Sequence, residues 1–502
     1  MVDGEIKEFE QYRLDANGLA IDIRIYDSGG FAPIYEVSVK GIGNATRLLI
    51  MSLRSELLTL VPIDLNRIED RKYADELKRK YADASVLLID KYLPGTESAT
   101  KGVLIAYIIN IMIGLGDLEG PLADDNLEEI VVNGGRKPVW VFHKKYGWCE
   151  TNVIMPDDAT IYNNAEQIGR RVGRQITNLQ PLMDAELTDG SRVNATLFPI
   201  SQVGNTITIR KFSKNPWTIS ALISNKTVST GMASLIWMCV QNEISTLISG
   251  GTASGKTSFL NAISIFIPGN RRVISIEETR ELTLPDYLQW IPMLTRQPNP
   301  EGKGEITLYD LMVNALRQRP DVMLVGEIRR EKDAETLFEA IHTGHAVYGT
   351  VHADDAQDTV IRMTNPPIGI PKIMMNAIGG IVTLIRNRRL GIRRILEFGE
   401  MLNSGDANVM YRWNLKGDGF MQVSDSIRLF DQIALYGGYT KSEITDELTE
   451  KGKVLEWITN NKIFDVNTVG NVIASYYKDK SKILQIVEDN APYSETQFAK
   501  KE

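Results

Sequence analysis

Residues 250–257 read Gly-Gly-Thr-Ala-Ser-Gly-Lys-Thr, a full match to G-x-x-x-x-G-K-[ST]. The apolar run Ile244–Ser249 before it reads as a buried strand, and Ser258–Ile265 after it reads as a helix. A chain with this order must place a tight loop between a core strand and a helix N-terminus. The glycines let consecutive N–H groups turn inward toward an anion, and the helix end adds partial positive charge. Within the loop Gly250, Gly251, Thr252, Ala253, Ser254, Gly255, Lys256 and Thr257 are the expected phosphate-binding residues. Lys256 is expected to reach the β- and γ-phosphates, and the Thr257 hydroxyl to bind Mg²⁺.

The rest of the chain narrows the class. At 502 residues it has room for two to four domains. Its two cysteines, Cys149 and Cys239, lie far apart, which excludes a disulfide framework and a cysteine zinc knuckle and predicts a reducing compartment. Net charge is −8 with no block of five like charges, which argues against a surface built to grip nucleic acid. The first eight residues are charged and lack a secretory core. The apolar stretch Gly102–Gly114 is too short to span a bilayer and carries Asn110, so it reads as a buried helix. The expectation is a soluble, cytosolic protein.

Three regions are expected. Residues 1–118 form a mostly helical N-terminal module, with helices over 66–93 and 97–113 and no clear assignment over 1–60. Residues 119–215 form an α+β domain with strands at 129–135, 138–143, 189–197 and 205–212 and a helix near 159–174, ending in a linker at 213–216. From 216 to 502, short β-branched runs (273–276, 322–325, 346–351) alternate with helical stretches, the pattern of a mostly parallel sheet. A hairpin at 409–423 and a helical extension follow. The fold class is therefore α/β.

In a parallel sheet ligands bind at the carboxyl ends of the strands, where the remaining chemistry falls. Glu277 and Glu278 end one strand-like run, and Glu327 ends another. Such acids hold Mg²⁺ or polarise a water. Gly326 stands where an Asp commonly precedes the second acid, so metal contact falls to Glu327 through a bridging water, and water activation to Glu277 or Glu278. Three of four histidines lie in 342–352. Their spacings of three and seven do not suit a zinc site. His345 and His352, at opposite ends of one strand, read either as a γ-phosphate sensor or relay, or as structural residues. Arg192 and Arg210 each read alone as surface ion pairs; delivered from another domain, their guanidiniums would grip a phosphoryl group.

Taken together, the phosphate loop, the box Ile276-Glu-Glu-Thr-Arg-Glu281, the strand Leu316–Arg329 with Gly326-Glu327, and the histidine box Thr343–Asp355 resemble the type II/type IV secretion ATPase superfamily, over about 120–400. Pro181–Arg192 is similar to the family's N-terminal-domain signature. The lack of a tetracysteine insertion resembles the archaeal branch. The resemblance implies a RecA-like P-loop ATPase that hydrolyses ATP with Mg²⁺. It implies Glu277 as catalytic base, Glu327 as the Mg²⁺-linked acid, His345 and His352 as box histidines, and Arg192 and Arg210 as arginine fingers, with Arg171 a lesser match. It implies a homohexamer, cytoplasmic and peripheral to the membrane, driving an inner-membrane platform protein of a secretion, pilus or archaellum system. A P-loop nucleic-acid translocase is the alternative; a slow regulatory nucleotide switch is a third reading, disfavoured by the paired acids.

Overall fold

The computed structural model describes residues 7–62, 71–187, 189–212, 215–298 and 302–494. The chain divides into two units, Met1–Lys214 and Asn215–Glu502. Parts of the readings at 66–70, Thr188 and 213–214 lie outside the described residues.

The first unit holds a nine-stranded sheet. Its elements are β1 (Lys7–Ala16), β2 (Leu19–Asp27), β3 (Ile34–Ser38), α1 (Asn44–Leu60), α2 (Arg71–Tyr92), α3 (Ser98–Met112), α4 (Glu119–Ala123), β4 (Leu127–Asn133), β5 (Pro138–His143), β6 (Gly147–Ile154), α5 (Asp158–Arg171), β7 (Leu182–Glu186), β8 (Arg192–Thr196) and β9 (Thr206–Arg210). Strand order is β1-β2-β3-β6-β5-β4-β9-β8-β7. The expected mostly helical module over 1–118 is corrected in part. Residues 7–38 carry three strands, and β3 pairs with β6, so no separate module ends at 118. The cause is a strict two-residue period: Leu19, Ile21, Ile23 and Ile25 are all buried while their neighbours face outward. These residues share one core with Ile130, Val141 and Ile209. Helix α3 is packed rather than exposed: Asn110 donates to the Ala16 carbonyl. No single helix among the described residues is long and apolar enough to cross a membrane.

The second unit is the expected α/β layer structure. It comprises α6 (Ile219–Ser224), α7 (Thr230–Gln241), β10 (Thr246–Gly250), α8 (Lys256–Ser264), β11 (Arg272–Glu277), β12 (Gln289–Leu294), α9 (Leu308–Leu316), β13 (Val322–Val325), α10 (Glu331–His342), β14 (Ala346–Val351), α11 (Ala356–Thr364), β15 (Gly380–Asn387), β16 (Ile392–Met401), β17 (Ala407–Asn414), β18 (Gly419–Gln422), α12 (Leu429–Gly437), α13 (Lys441–Asn460), α14 (Val466–Lys478) and α15 (Lys480–Glu488). The sheet runs β12-β11-β13-β14-β10-β15-β16-β17-β18. It is parallel from β12 to β15 and antiparallel beyond. Strands β10, β13 and β14 are buried at every position, as parallel strands covered on both faces must be. One core joins α7, α8 and α13 to the sheet; a second joins α9, α10 and α11 to its other face.

The C-terminal helices are fastened to this core by aromatic and ionic contacts. Trp237 stacks on Phe266 at 5.1 Å and donates to the Tyr477 hydroxyl at 2.7 Å. Lys451, fully buried, pairs with Glu447 beneath the Trp237 and Tyr476 rings. Glu400, at the end of β16, is also fully buried. It accepts from the Asn408 amide, the Ser426 hydroxyl and the N–H groups of Ile427, Arg428 and Leu429, so it anchors the start of α12. Its pKa is set by burial, which raises it, and by these donors, which outweigh burial and lower it overall. Replacing Glu400 with Ala strands several buried donors. The expected result is a loss of about 3 kcal/mol in chemical denaturation, given the cost of unmade charged hydrogen bonds.

Candidate active site

The register of the parallel strands brings the motifs into one row. Ser249 pairs with Val351, Gly349 with Val325, and Val325 with Ile276. The residues that follow each strand end are therefore neighbours: the loop after β10, His352 after β14, Gly326-Glu327 after β13, and Glu277-Glu278 at the end of β11.

The loop geometry is local and steric. Gly250 has φ +152°, and a Cβ there would lie 2.4 Å from Ser254 Oγ and 2.5 Å from the Leu384 carbonyl oxygen. Gly255, at φ +98°, precedes the first turn of α8. Lys256 opens that turn and is 9% exposed. Its ammonium donates to the carbonyls of Gly250 (2.9 Å) and Gly251 (3.3 Å) and lies 3.4 Å from both His352 ring nitrogens. Burial lowers its pKa, opposed by Glu327 and Glu281. Thr257 is half-buried in the first turn of α8, and Thr252 and Ala253 are exposed. Arg393 donates to the Ala253 carbonyl at 3.0 Å.

A polar chain crosses the strand ends. His352 Nε2 is 3.1 Å from Glu327 Oε1. Arg329 bridges Glu327 at 2.8 Å and Glu278 at 2.7 Å. Burial raises the Glu327 pKa, but the Arg329 hydrogen bond, with His352 and Lys256, outweighs it and holds the carboxyl below its ordinary value. Burial and the Lys256 charge lower the His352 pKa despite Glu327, so the ring is neutral at pH 7 and donates Nε2–H.

Glu277 is the opposite case. It is 2% exposed. Oε1 accepts from the N–H groups of Glu281 (2.9 Å) and Leu282 (3.0 Å), while Oε2 has no hydrogen-bond partner. Burial pushes its pKa up to about 7 in spite of those donors. Gly326 lies alongside: a Cβ there would be 3.6 Å from Glu277 Cγ. Glu278 is exposed and tied to Arg329.

One expected residue of this unit is set apart from that row, and the expected arginines belong to the first unit. His345 precedes β14, at the end of the strand remote from His352, and its Nδ1 meets the Thr343 hydroxyl and the Ala340 carbonyl at the end of α10. Six residues of strand separate the two histidines, about 20 Å. Arg192 and Arg210 belong to the first unit. They are directly paired across β8 and β9 and line a depression of about 280 Å³ with Asp184, Asn194 and Thr208. Arg192 contacts Asp184 at 3.2 Å. Arg171 is committed to the Ile113 carbonyl at the end of α3. Arg329 and Arg393 escaped the sequence reading, although both sit in conspicuous basic runs (Ile328-Arg-Arg and Arg386–Arg394).

Comparison with known proteins shows the family. The family described as Type II/IV secretion system protein matches residues 150–403, half of the chain. The chain belongs to the type II/IV secretion ATPase family. A relative in Methanocaldococcus jannaschii, the uncharacterized protein MJ0900, is 34% identical over 379 residues, covering 73% of this chain and 68% of its own. The type IV secretion system protein PtlH of Bordetella pertussis is 27% identical over 267 residues, covering 48% of this chain and 77% of its own. The solved structure of the pilus retraction motor PilT with bound ADP matches with a TM-score of 0.42 and 14% identity, over 76% of this chain and 97% of its own. As a secretion ATPase the chain is a nucleotide-binding, ATP-hydrolysing motor enzyme of a secretion system.

Glu277 yields a stability test. A carboxyl whose pKa rises on folding favours the fold below the unfolded value of 4.5, and that contribution is lost as pH rises through about 7. Glu277→Gln removes the buried charge, so its melting midpoint relative to the unaltered protein is expected to be higher at pH 8 than at pH 5. A difference between the two proteins that does not change with pH would rule out the shifted carboxyl.

Proposed function

We propose that this secretion ATPase holds the triphosphate of ATP on Gly250–Thr257 and cleaves it with Glu277 as general base. The observation that carries the proposal is the Glu277 carboxyl: buried, clamped through one oxygen, unpartnered at the other, with a pKa of about 7. A base works best when its pKa lies near the working pH, and burial has moved this one there. Glu278 shares none of these features, which supports Glu277 over its neighbour.

The chemistry is an in-line transfer of the γ-phosphoryl group to water. Glu277 takes the proton of the attacking water, and the β–γ bridging oxygen leaves with ADP. Lys256, freed from its loop carbonyls, turns its ammonium to the β- and γ-phosphates. Neutral His352 orients Glu327 through Nε2–H. Among the described residues no group of three or more His, Cys, Asp or Glu is placed to form a metal cage. That suits Mg²⁺, which with nucleotide takes one or two protein ligands and keeps its waters. Thr257 would bind it directly and Glu327 through a water, and when bound it would neutralise charge on the β- and γ-phosphates. Arg192 and Arg210, paired on one face of their sheet, are suited to grip the γ-phosphate as arginine fingers. His345 would act outside the phosphate site, at the end of α10.

In this reading the motor is a homohexameric ring in the cytoplasm, peripheral to the membrane. ATP-driven closure would move an inner-membrane platform protein. The name of PtlH, a type IV secretion system protein, supports that class of assembly.

Lys256→Ala is expected to abolish ATP turnover in the purified protein; wild-type rates would remove the loop from the mechanism. The rate at limiting ATP should fall about tenfold per pH unit below pH 7, because only ionised Glu277 accepts the proton. A flat profile from pH 5 to 8 would exclude Glu277 as base. Arg210→Ala should leave nucleotide affinity unchanged while lowering turnover by about a thousandfold.

A further inference from the structure

The segment Arg386–Arg394 carries five arginines in nine residues, at 386, 388, 389, 393 and 394, in a chain of net charge −8. It forms the end of β15, a turn and the start of β16. Its position is fixed by register. Gly250, the first loop glycine, pairs with Leu384, so β15 runs past the end of β10 and its next residues flank the phosphate loop. Arg386 and Arg393 are directly opposite each other across β15 and β16. Opposed residues share a face of the sheet, with Cβ atoms about 5 Å apart. Leu384, two residues before Arg386 and so on the same face, packs in the core that contains α8 residues Phe259 and Leu260. The shared face is therefore the one on which the phosphate loop and its helix lie. Arg393 confirms this, donating to Ala253, with its Cδ 3.6 Å from where a Gly255 Cβ would stand.

Two like charges directly opposed in a sheet are destabilising. The chain relieves the neighbouring case: Arg394, facing the other way, is 4% exposed and forks onto Asp418 at 2.8 and 2.9 Å. Arg386 is half-buried, and its side chain makes no hydrogen bond or ion pair with any described residue. A half-buried guanidinium set against a second one, beside a phosphate loop, calls for an anion. The sheet order says which part of the nucleotide supplies it. Glu277, Glu327 and His352 lie on β11, β13 and β14, on one side of β10. The γ-phosphate must face them. β15 and β16 lie on the other side, so a nucleotide whose γ-phosphate faces those acids would extend its nucleoside end toward them.

We infer that Arg386, set against Arg393, is a nucleotide-binding residue that contacts the α-phosphate of ADP and ATP. This rests on the phosphate-loop reading above. The contact forms at the α-phosphate and takes no part in cleaving the γ-phosphate. It rewards a nucleoside di- or triphosphate over a free phosphate ion, and it relieves the like-charge opposition only when nucleotide is present.

The test measures ADP affinity of the full-length protein by calorimetry, and protection by millimolar orthophosphate from the shift in melting midpoint. Orthophosphate fills the loop but has no α-phosphate. Arg386→Gln is expected to weaken ADP about tenfold, the scale of one lost charge-assisted hydrogen bond, with protection by orthophosphate unchanged. Arg389→Gln, exposed on the turn, is expected to leave ADP affinity within about twofold. Without nucleotide, Arg386→Gln should melt no lower than the unaltered protein. The assignment is overturned by unchanged ADP affinity, by equal losses for both ligands, by an equal loss in Arg389→Gln, or by a lower melting midpoint without nucleotide. Lys256→Ala should lose both ligands; if it keeps both, the phosphate-loop reading itself fails.

Discussion

The site depends on the backbone ladder of four parallel strands. β10, β14, β13 and β11 are not consecutive in the chain, yet their hydrogen-bonded register sets Gly250, His352, Glu327 and Glu277 side by side. A slip of one residue in any pair would turn the acids to the other face of the sheet. Burial on both faces prevents this, since a slip would also carry packed Val and Ile side chains out of two separate cores. The chemistry thus inherits its precision from apolar packing that never touches a nucleotide.

Given that row, environment assigns different tasks to similar groups. Glu277 and Glu327 are both glutamates at strand ends. One sits buried with an idle oxygen and rises to about 7; the other is surrounded by Arg329, His352 and Lys256 and stays ionised. Divergent environments for two carboxyls are how one fold supports a base and an electrostatic anchor together. Gly326 fits the same logic, because any side chain there would grow along Glu277.

Features written in local backbone chemistry were legible from the sequence. The phosphate loop was one, since its glycines answer to steric limits within a few residues: Gly250 admits no Cβ. The acids at the ends of apolar runs were legible for a similar reason. The partners of those acids were not. Arg329, His352 and Lys256 meet only through strand order, which periodicity does not encode. His345 and His352 were read at opposite ends of one strand, and that strand separates them by its full length, which sets His345 at the end of α10. The opening strands were missed although β2 alternates plainly. Their sheet closes onto β6, more than a hundred residues on, and no local signal announces such a long-range pairing.

Strand β16 bears on two rims of the site at once. At Arg393 it holds the phosphate loop through the Ala253 carbonyl. At Glu397 it accepts the Ala356 N–H at the start of α11, four residues after His352, and is itself held by Arg412. About 13 Å of extended backbone joins these two grips. Such a strand behaves as a caliper with a fixed gap: the loop and the histidine segment cannot drift apart independently. Any stroke of the motor that displaces one rim carries the other along with it.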